Sequence, residues 1–127
     1  MFEAPPEALV DSPPPPVTDG VLSGMGTSRG SETGVSHIIE SAYETSATDF
    51  KAGEILIVPF TDAAWTPVFL PAAAVVVETG GVLSHAATVA REYGIPAVVA
   101  VPGATQLIQS GQTVRVDGNA GTVTIES

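Results

Sequence analysis

The chain has 127 residues, enough for one domain with a real core, and its 4 basic against 14 acidic side chains leave a net charge of −10. That balance argues against free-standing binding to nucleic acid or anionic lipid, which both need a basic footprint. There are no cysteines, so disulfides, thiolate metal sites and thiol catalysis are excluded.

Residues 1–16, "MFEAPPEALVDSPPPP", hold six of the eleven prolines. Proline fixes φ and removes the backbone donor, so this stretch reads as a Pro-rich linker outside any sheet. Extended at about 3.1 Å per residue, such a tether spans on the order of 50 Å. The alternative is a disordered chain end. Residues 17–127 then form the domain. No basic, apolar, small-residue signal pattern opens the chain. No apolar run approaches the roughly 18 residues of a spanning helix, and "AAAVVV" (72–77) is far too short. A cytoplasmic domain with no membrane contact is the expectation.

Glycines recur among Ser and Thr over residues 17–40, which predicts short strands joined by close turns. "GEILIVPF" (53–60) reads as a buried strand ended by Pro59. "TDAAWTPVFLPA" (61–72) reads as a short helix or turns. "AAVVVE" (73–78) is a second apolar strand, and such runs fit parallel strands covered on both faces. A helix follows, with Ser84 as N-cap, an apolar stripe at Ala86, Val89, Ala90 and Tyr93, Gly94 past its end and Pro96 blocking continuation. "AVVAV" (97–101) is a third buried strand, so strand, helix and strand make a βαβ unit with parallel strands. "GATQLIQSG" (103–111) offers a helical turn. "TVRVDGNAGTVTI" (113–125) reads as a hairpin around Asp117–Gly121. The fold class is therefore α/β, with the chemistry sought on the βαβ unit.

One of the two histidines, His85, falls at the first turn of that helix, after "ETGGVLS" (78–84). The loop lies at the carboxyl end of a parallel strand, where ligands of α/β sheets collect. Free N–H groups and the positive dipole end favour an anion there, by roughly 0.3–2 kcal/mol. Gly80 and Gly81 can take positive φ and present their amides as a nest. The same helix end disfavours a second positive charge, which leaves a ring nitrogen free to attack. A neutral imidazole beside an anion cradle is what a phosphoryl-accepting nucleophile needs. A zinc site lacks further ligands at coordinating spacing. Ser84 and His85 form no dyad, since helix neighbours do not face each other. A helix-capping histidine is the plain structural alternative. His37 reads as strand filler, Trp65 as packing or docking surface, and Asp117 with Gly118 as a turn. The single lysine, Lys51, and the absence of GxxxxGK[ST] rule against an ATP site built by this chain alone.

"TGGVLSHAATVAREYGIPAVV" (79–99) resembles the phosphohistidine signature of the mobile, or swivelling, domain of PEP-utilising enzymes. That group includes phosphoenolpyruvate synthase, pyruvate phosphate dikinase and rifampicin phosphotransferase. "FKAGEILIVPFTDAAWTPVF" (50–69) and "ATQLIQSGQTVRVDGNAGTVTI" (104–125) resemble the segments on either side, and "GMGTSRGSETG" (24–34) is a looser match to the opening turns. The resemblance covers about residues 18–126 and implies a β/β/α swivelling fold.

It implies that His85 takes a phosphoryl group, usually on the distal ring nitrogen, and carries it between two distant catalytic domains. Gly80, Gly81 and Ser84 would shape the phosphate pocket, Thr79 would add a hydroxyl, and Arg91 would serve as a docking or charge partner. No metal and no cofactor is expected in this domain; ATP and Mg²⁺ are expected in an ATP-grasp nucleotide-binding partner domain, with a further acceptor-binding domain in the same or a companion chain. The acceptor would be PEP/pyruvate or an antibiotic-type hydroxyl. Leu83 stands where the dikinases carry a regulatory threonine, and Ser84 where many synthases carry cysteine. Both lean toward the rifampicin-phosphotransferase-like branch. The competing readings are a non-catalytic docking or regulatory relative, and a hydro-lyase swivelling domain of the same general fold.

Overall fold

A computed structural model describes residues 17–18, 20–40, 50–61 and 65–126. The Pro-rich stretch 1–16 and residues 62–64 of the expected short helical segment lie outside the described residues. The chain forms β1 (Val17–Thr18), β2 (Val21–Ser23), β3 (Met25–Ser28), β4 (Ser31–Ile38), β5 (Ile55–Val58), α1 (Thr66–Phe69), β6 (Ala74–Val77), α2 (His85–Tyr93), β7 (Ala97–Val99), α3 (Ala104–Leu107), β8 (Thr113–Asp117) and β9 (Thr122–Ile125).

All nine strands join in one mixed sheet, ordered β1-β2-β9-β8-β4-β5-β6-β7-β3. β4, β5, β6 and β7 run parallel in sequence of position. These are the runs of β-branched and small apolar residues, and every residue of β5, β6 and β7 is buried. The flanking pairs are antiparallel, including the β8–β9 hairpin, in which Val114 and Val116 face inward while Arg115 faces out. The long strand β4 belongs to both halves, pairing β8 over Ser31–Val35 and β5 over Ser36–Ile38.

Two apolar layers follow from this arrangement. Leu22, Ile55, Ile57, Val76, Val98, Val114, Val116 and Val123 fill the space between the antiparallel and parallel halves. Leu56, Val58, Val75, Val77, Val99, Trp65, Phe69, Ala86 and Ala90 fill the space between the parallel half and the helices. The alternation Ile55/Leu56/Ile57/Val58 sends successive side chains to opposite layers, as the period of a strand requires. Each fully buried Val, Leu or Ile contributes about 1.5–3 kcal/mol. The result is a β/β/α stack, and Trp65 at 1% exposure packs inside it rather than serving as docking surface.

α2 lies between β6 and β7 in the chain, and those strands pair in parallel. Its start is fixed by Ser84, whose extended backbone (φ −69°, ψ 163°) and hydroxyl cap the Ala87 N–H. Its end is fixed by Gly94 in the left-handed conformation (φ 70°). The buried face corrects one expectation. Ala86, Ala87 and Ala90 are buried, whereas Tyr93 is 52% exposed. The small alanines form the buried face of the helix, and the Tyr93 ring stays at the surface. β7 also stops two residues early, because Ala100 adopts a positive φ of 57°.

The β8–β9 turn closes against β3. Asp117 Oδ1 accepts from the backbone N–H of Asn119 and of Ala120, which fixes the turn. A Cβ at Gly118 would overlap the Ser28 carbonyl, so only glycine allows this approach.

Candidate functional site

The carboxyl ends of β5 and β6 lie side by side because the strands pair in parallel from Ile55↔Ala74 to Val58↔Val77. The chain leaving β5 brings Phe60 and Thr61 to this edge, and the chain leaving β6 brings Thr79, Gly80 and the loop to His85. These residues line a small cleft of about 50 Å³, together with Val77, Ser84 and Ala86. His85 is half-buried at its wall and at the first position of α2.

Two contacts fix the ring. Its Nδ1 lies 2.9 Å from Thr61 Oγ1. Its edge meets the ring of Phe69, with centroids 6.0 Å apart and planes at 79°. Nε2 makes no hydrogen bond among the described residues. Thr61 is the functional side chain that the sequence did not single out. Its signal was faint: a hydroxyl three residues past a buried parallel strand, on the edge where the neighbouring strand delivers the histidine.

The loop before His85 is built as a backbone cradle. Ser84 N–H donates to the Gly81 carbonyl at 3.0 Å, and the Ser84 hydroxyl donates to the same carbonyl at 2.7 Å. That hydroxyl also accepts from Ala87 N–H at 3.3 Å, and Thr88 N–H is taken by the Ser84 carbonyl at 3.0 Å. The first two N–H groups of α2 have no partner within the helix. Gly80 has φ +107°, and a Cβ there would sit 3.0 Å from Ser84 Oγ. Gly81 is not in the left-handed region, and a Cβ there would meet nothing within 4 Å. The expected pair of positive-φ glycines is thus one strained turn and one open space.

The hydroxyls turn out to be committed elsewhere. Thr79 Oγ1 donates to the Pro59 carbonyl at 3.1 Å, and the Ser84 proton goes to Gly81. Each hydroxyl has a single proton, so neither donates to an anion in this conformation. Any donors offered to an anion at this loop are backbone amides. Arg91 does not form a salt bridge among the described residues. Its Nη1 donates to the Thr27 carbonyl at 3.2 Å and its Nη2 to the Val82 carbonyl at 2.6 Å, which ties α2 to β3 and to the histidine loop. The rim is apolar, with Phe60, Val82 and Leu83 exposed and Leu83 at 89%. Thr88 faces solvent.

His37 stands apart from the site. Its Nδ1 lies 2.8 Å from Glu54 Oε1, with the Phe50 ring 5.5 Å away. Burial pushes the Glu54 carboxyl up, but hydrogen bonds from His37 and the Lys51 N–H, with their charges, hold it below its usual value. Among the described residues, no group of three or more His, Cys, Asp or Glu could hold a metal ion, and no helix is long and apolar enough to cross a membrane.

A histidine at a helix start on a β/β/α stack, beside the carboxyl ends of parallel strands, defines the class. The family follows from sequence comparison: residues 50–121 match the PEP-utilising enzyme mobile domain, and the chain belongs to that family. Among curated relatives, the chain is 43% identical over 111 residues to rifampicin phosphotransferase of Streptomyces sviceus, covering 87% of this chain and 12% of that protein. It is 43% identical over 131 residues to the prodigiosin synthesizing transferase PigC of Serratia marcescens, covering 98% and 15%. It is 44% identical over 103 residues to a probable phosphoenolpyruvate synthase of Staphylothermus marinus, covering 81% and 12%. The chain therefore spans about an eighth of the length of such relatives.

Among solved structures, aconitase X of Thermococcus kodakaraensis shares the fold at TM-score 0.63 and 21% identity, over 84% of this chain and 98% of that one. Enzyme I, solved by NMR, aligns at TM-score 0.55 and 28% identity, over 63% of this chain and 33% of that one.

Proposed function

We propose that this chain is the phosphocarrier element of a phosphotransferase, with His85 as the group that accepts and delivers the phosphoryl. The observation that carries the reading is the state of the imidazole lining the cleft: Nδ1 is held by Thr61 at 2.9 Å while Nε2 has no partner among the described residues. When Nδ1 bears the ring proton and donates it to Thr61 Oγ1, the Nε2 lone pair is free. That lone pair attacks the phosphorus, the N–P bond forms, and the bond from phosphorus to the donor's leaving oxygen breaks with its electrons going to that oxygen. The Nδ1 proton stays in place throughout. The amides at the start of α2 and the dipole behind them favour the charge arriving on the phosphoryl oxygens.

The donor on this reading is ATP with Mg²⁺ in an ATP-grasp nucleotide-binding domain, and the acceptor sits in a further domain. The three relatives carry names pointing to different acceptors, yet each matches this segment at 43–44% identity. Acceptor choice therefore belongs to the rest of the enzyme. The Pro-rich stretch supplies the tether between stations, where linked sites see effective concentrations on the order of millimolar. The decisive experiment incubates the chain with ATP, Mg²⁺ and that nucleotide-binding domain. An acid-labile, base-stable phosphate is expected, and it is absent from His85→Ala. Equal labelling of His85→Ala and the parent chain would end the assignment.

A further inference from the structure

Two of the four basic residues of this acidic chain meet in one place. Arg29 and Arg91 line an open cleft of about 840 Å³ between β3, the carboxyl end of α2 and the β8–β9 turn, and no Asp or Glu is among its lining residues. Arg29 makes no hydrogen bond or ion pair among the described residues. Among the described residues Arg91 donates only to the Thr27 and Val82 carbonyls, which leave its charge uncompensated and three of its five N–H groups free. Two unpaired guanidiniums facing one hollow, in a chain with 14 acidic residues, are an arrangement that an anion would relieve.

A second observation lies in the same cleft. Thr27 is 7% exposed, and its Oγ1 is buried with no hydrogen-bond partner. Buried hydroxyls nearly always find one, and leaving one unmet costs about 1–3 kcal/mol. Asn119 adds an amide whose oxygen already accepts from Gly30 N–H at 3.4 Å, leaving its NH₂ to donate. Gly94 and Gly118 leave the walls bare of side chains.

We propose that this cleft binds the phosphate group of a phosphorylated small molecule, at a site separate from the His85 loop. The donor count favours phosphate over a carboxylate. Arg29 offers five N–H groups and Arg91 three more, beside the Asn119 amide, whereas a carboxylate has about four acceptor positions. The volume falls in the range of small-molecule sites, about 300–1,000 Å³, and leaves room for more than a bare ion. None of this depends on what His85 does.

The test is an amide NMR titration of the 127-residue chain with inorganic phosphate, glycerol 3-phosphate and tetraglutamate at constant ionic strength. Saturable shifts are expected at the amides of Thr27, Arg29, Gly94 and Asn119 with both phosphates. Arg29→Gln removes a side chain that makes no bond within the fold, and it should weaken binding at least about tenfold. His85→Ala should leave the affinity unchanged. Tetraglutamate binding more tightly than either phosphate would transfer the cleft to an acidic protein segment and overturn the proposal. So would the absence of saturable shifts, or an Arg29→Gln chain that binds like the parent. Loss of the shifts in His85→Ala would place the phosphate at the histidine loop instead.

Discussion

Replacing Thr61 by valine removes the oxygen that lies 2.9 Å from His85 Nδ1 and keeps a β-branched side chain of similar size. One hydrogen bond between neutral, half-buried groups contributes about 0.5–1.5 kcal/mol. On the proposed reading that bond favours the tautomer with a free Nε2 lone pair and holds the ring at the cleft. Its loss should slow phosphorylation between about twofold and about tenfold, since about 1.4 kcal/mol corresponds to a decade in rate. Global stability should fall by no more than about 1.5 kcal/mol, because no charge and no large apolar area is uncovered. The assay pairs the rate of phosphohistidine formation with the ¹⁵N shifts of the ring, which report the tautomer directly. Thr61→Ser restores the hydroxyl and should restore both readouts. A valine variant with the parent rate and the parent tautomer would refute the argument. A serine variant as impaired as the valine one would show that the methyl group mattered, not the oxygen.

The two loop glycines should separate cleanly. Gly80→Ala forces a side chain to φ +107° and within 3.0 Å of Ser84 Oγ, so denaturant unfolding should show a loss of about 1–2 kcal/mol or more. Gly81→Ala meets no atom within 4 Å, so stability in the same measurement should stay within about 0.5 kcal/mol of the parent. Ser84→Ala removes the cap on Ala87 N–H and the bond to the Gly81 carbonyl, and should cost about 0.5–2 kcal/mol by the same measurement. The Glu54 carboxyl titrates below its ordinary 4.5 in the folded chain, so it adds stability above that value and loses it as pH falls through the lowered one. Thermal unfolding across that acid limb should be flatter in Glu54→Gln than in the parent.

Local chemistry made part of the fold legible. Ile55–Val58, Ala74–Val77 and Ala97–Val99 carry unbroken apolar runs, and α2 announces itself with Ser84 before it, Gly94 after it and Pro96 beyond. What could not be read depends on partners distant in sequence. β4 looked like one of several Gly-punctuated short strands, yet it runs eight residues because β8 and β5 complete it from opposite sides. Tyr93 fitted the helical period, but the buried face is formed by Ala86, Ala87 and Ala90, and Tyr93 lies at the surface. Arg91 suggested a charge partner, since sequence cannot show that two backbone carbonyls, of Thr27 and Val82, stand within its reach. Thr61 was hidden for the same reason: its link to His85 spans 24 residues and arises only when β5 and β6 align.

The placement of charge explains why such a histidine belongs to a larger machine. Phosphoryl transfer rests mainly on positioning and on stabilising charge over the phosphoryl oxygens. The cleft beside His85 is lined by Phe60, Thr61, Val77, Thr79, Gly80, Ser84 and Ala86, and holds no Lys or Arg. Arg91 is not among the lining residues, and two of its N–H groups donate to the Thr27 and Val82 carbonyls. On the proposed reading, the described residues supply a nucleophile and a backbone cradle, and the cation that meets a triphosphate or a leaving group comes from another domain. The exposed rim of Phe60, Val82 and Leu83 completes the division of labour: pressed against another surface, it would exclude water from the transfer and strengthen the charges that surface brings. On the proposed reading, this nucleophile meets ATP only when a cationic site of another domain closes over it.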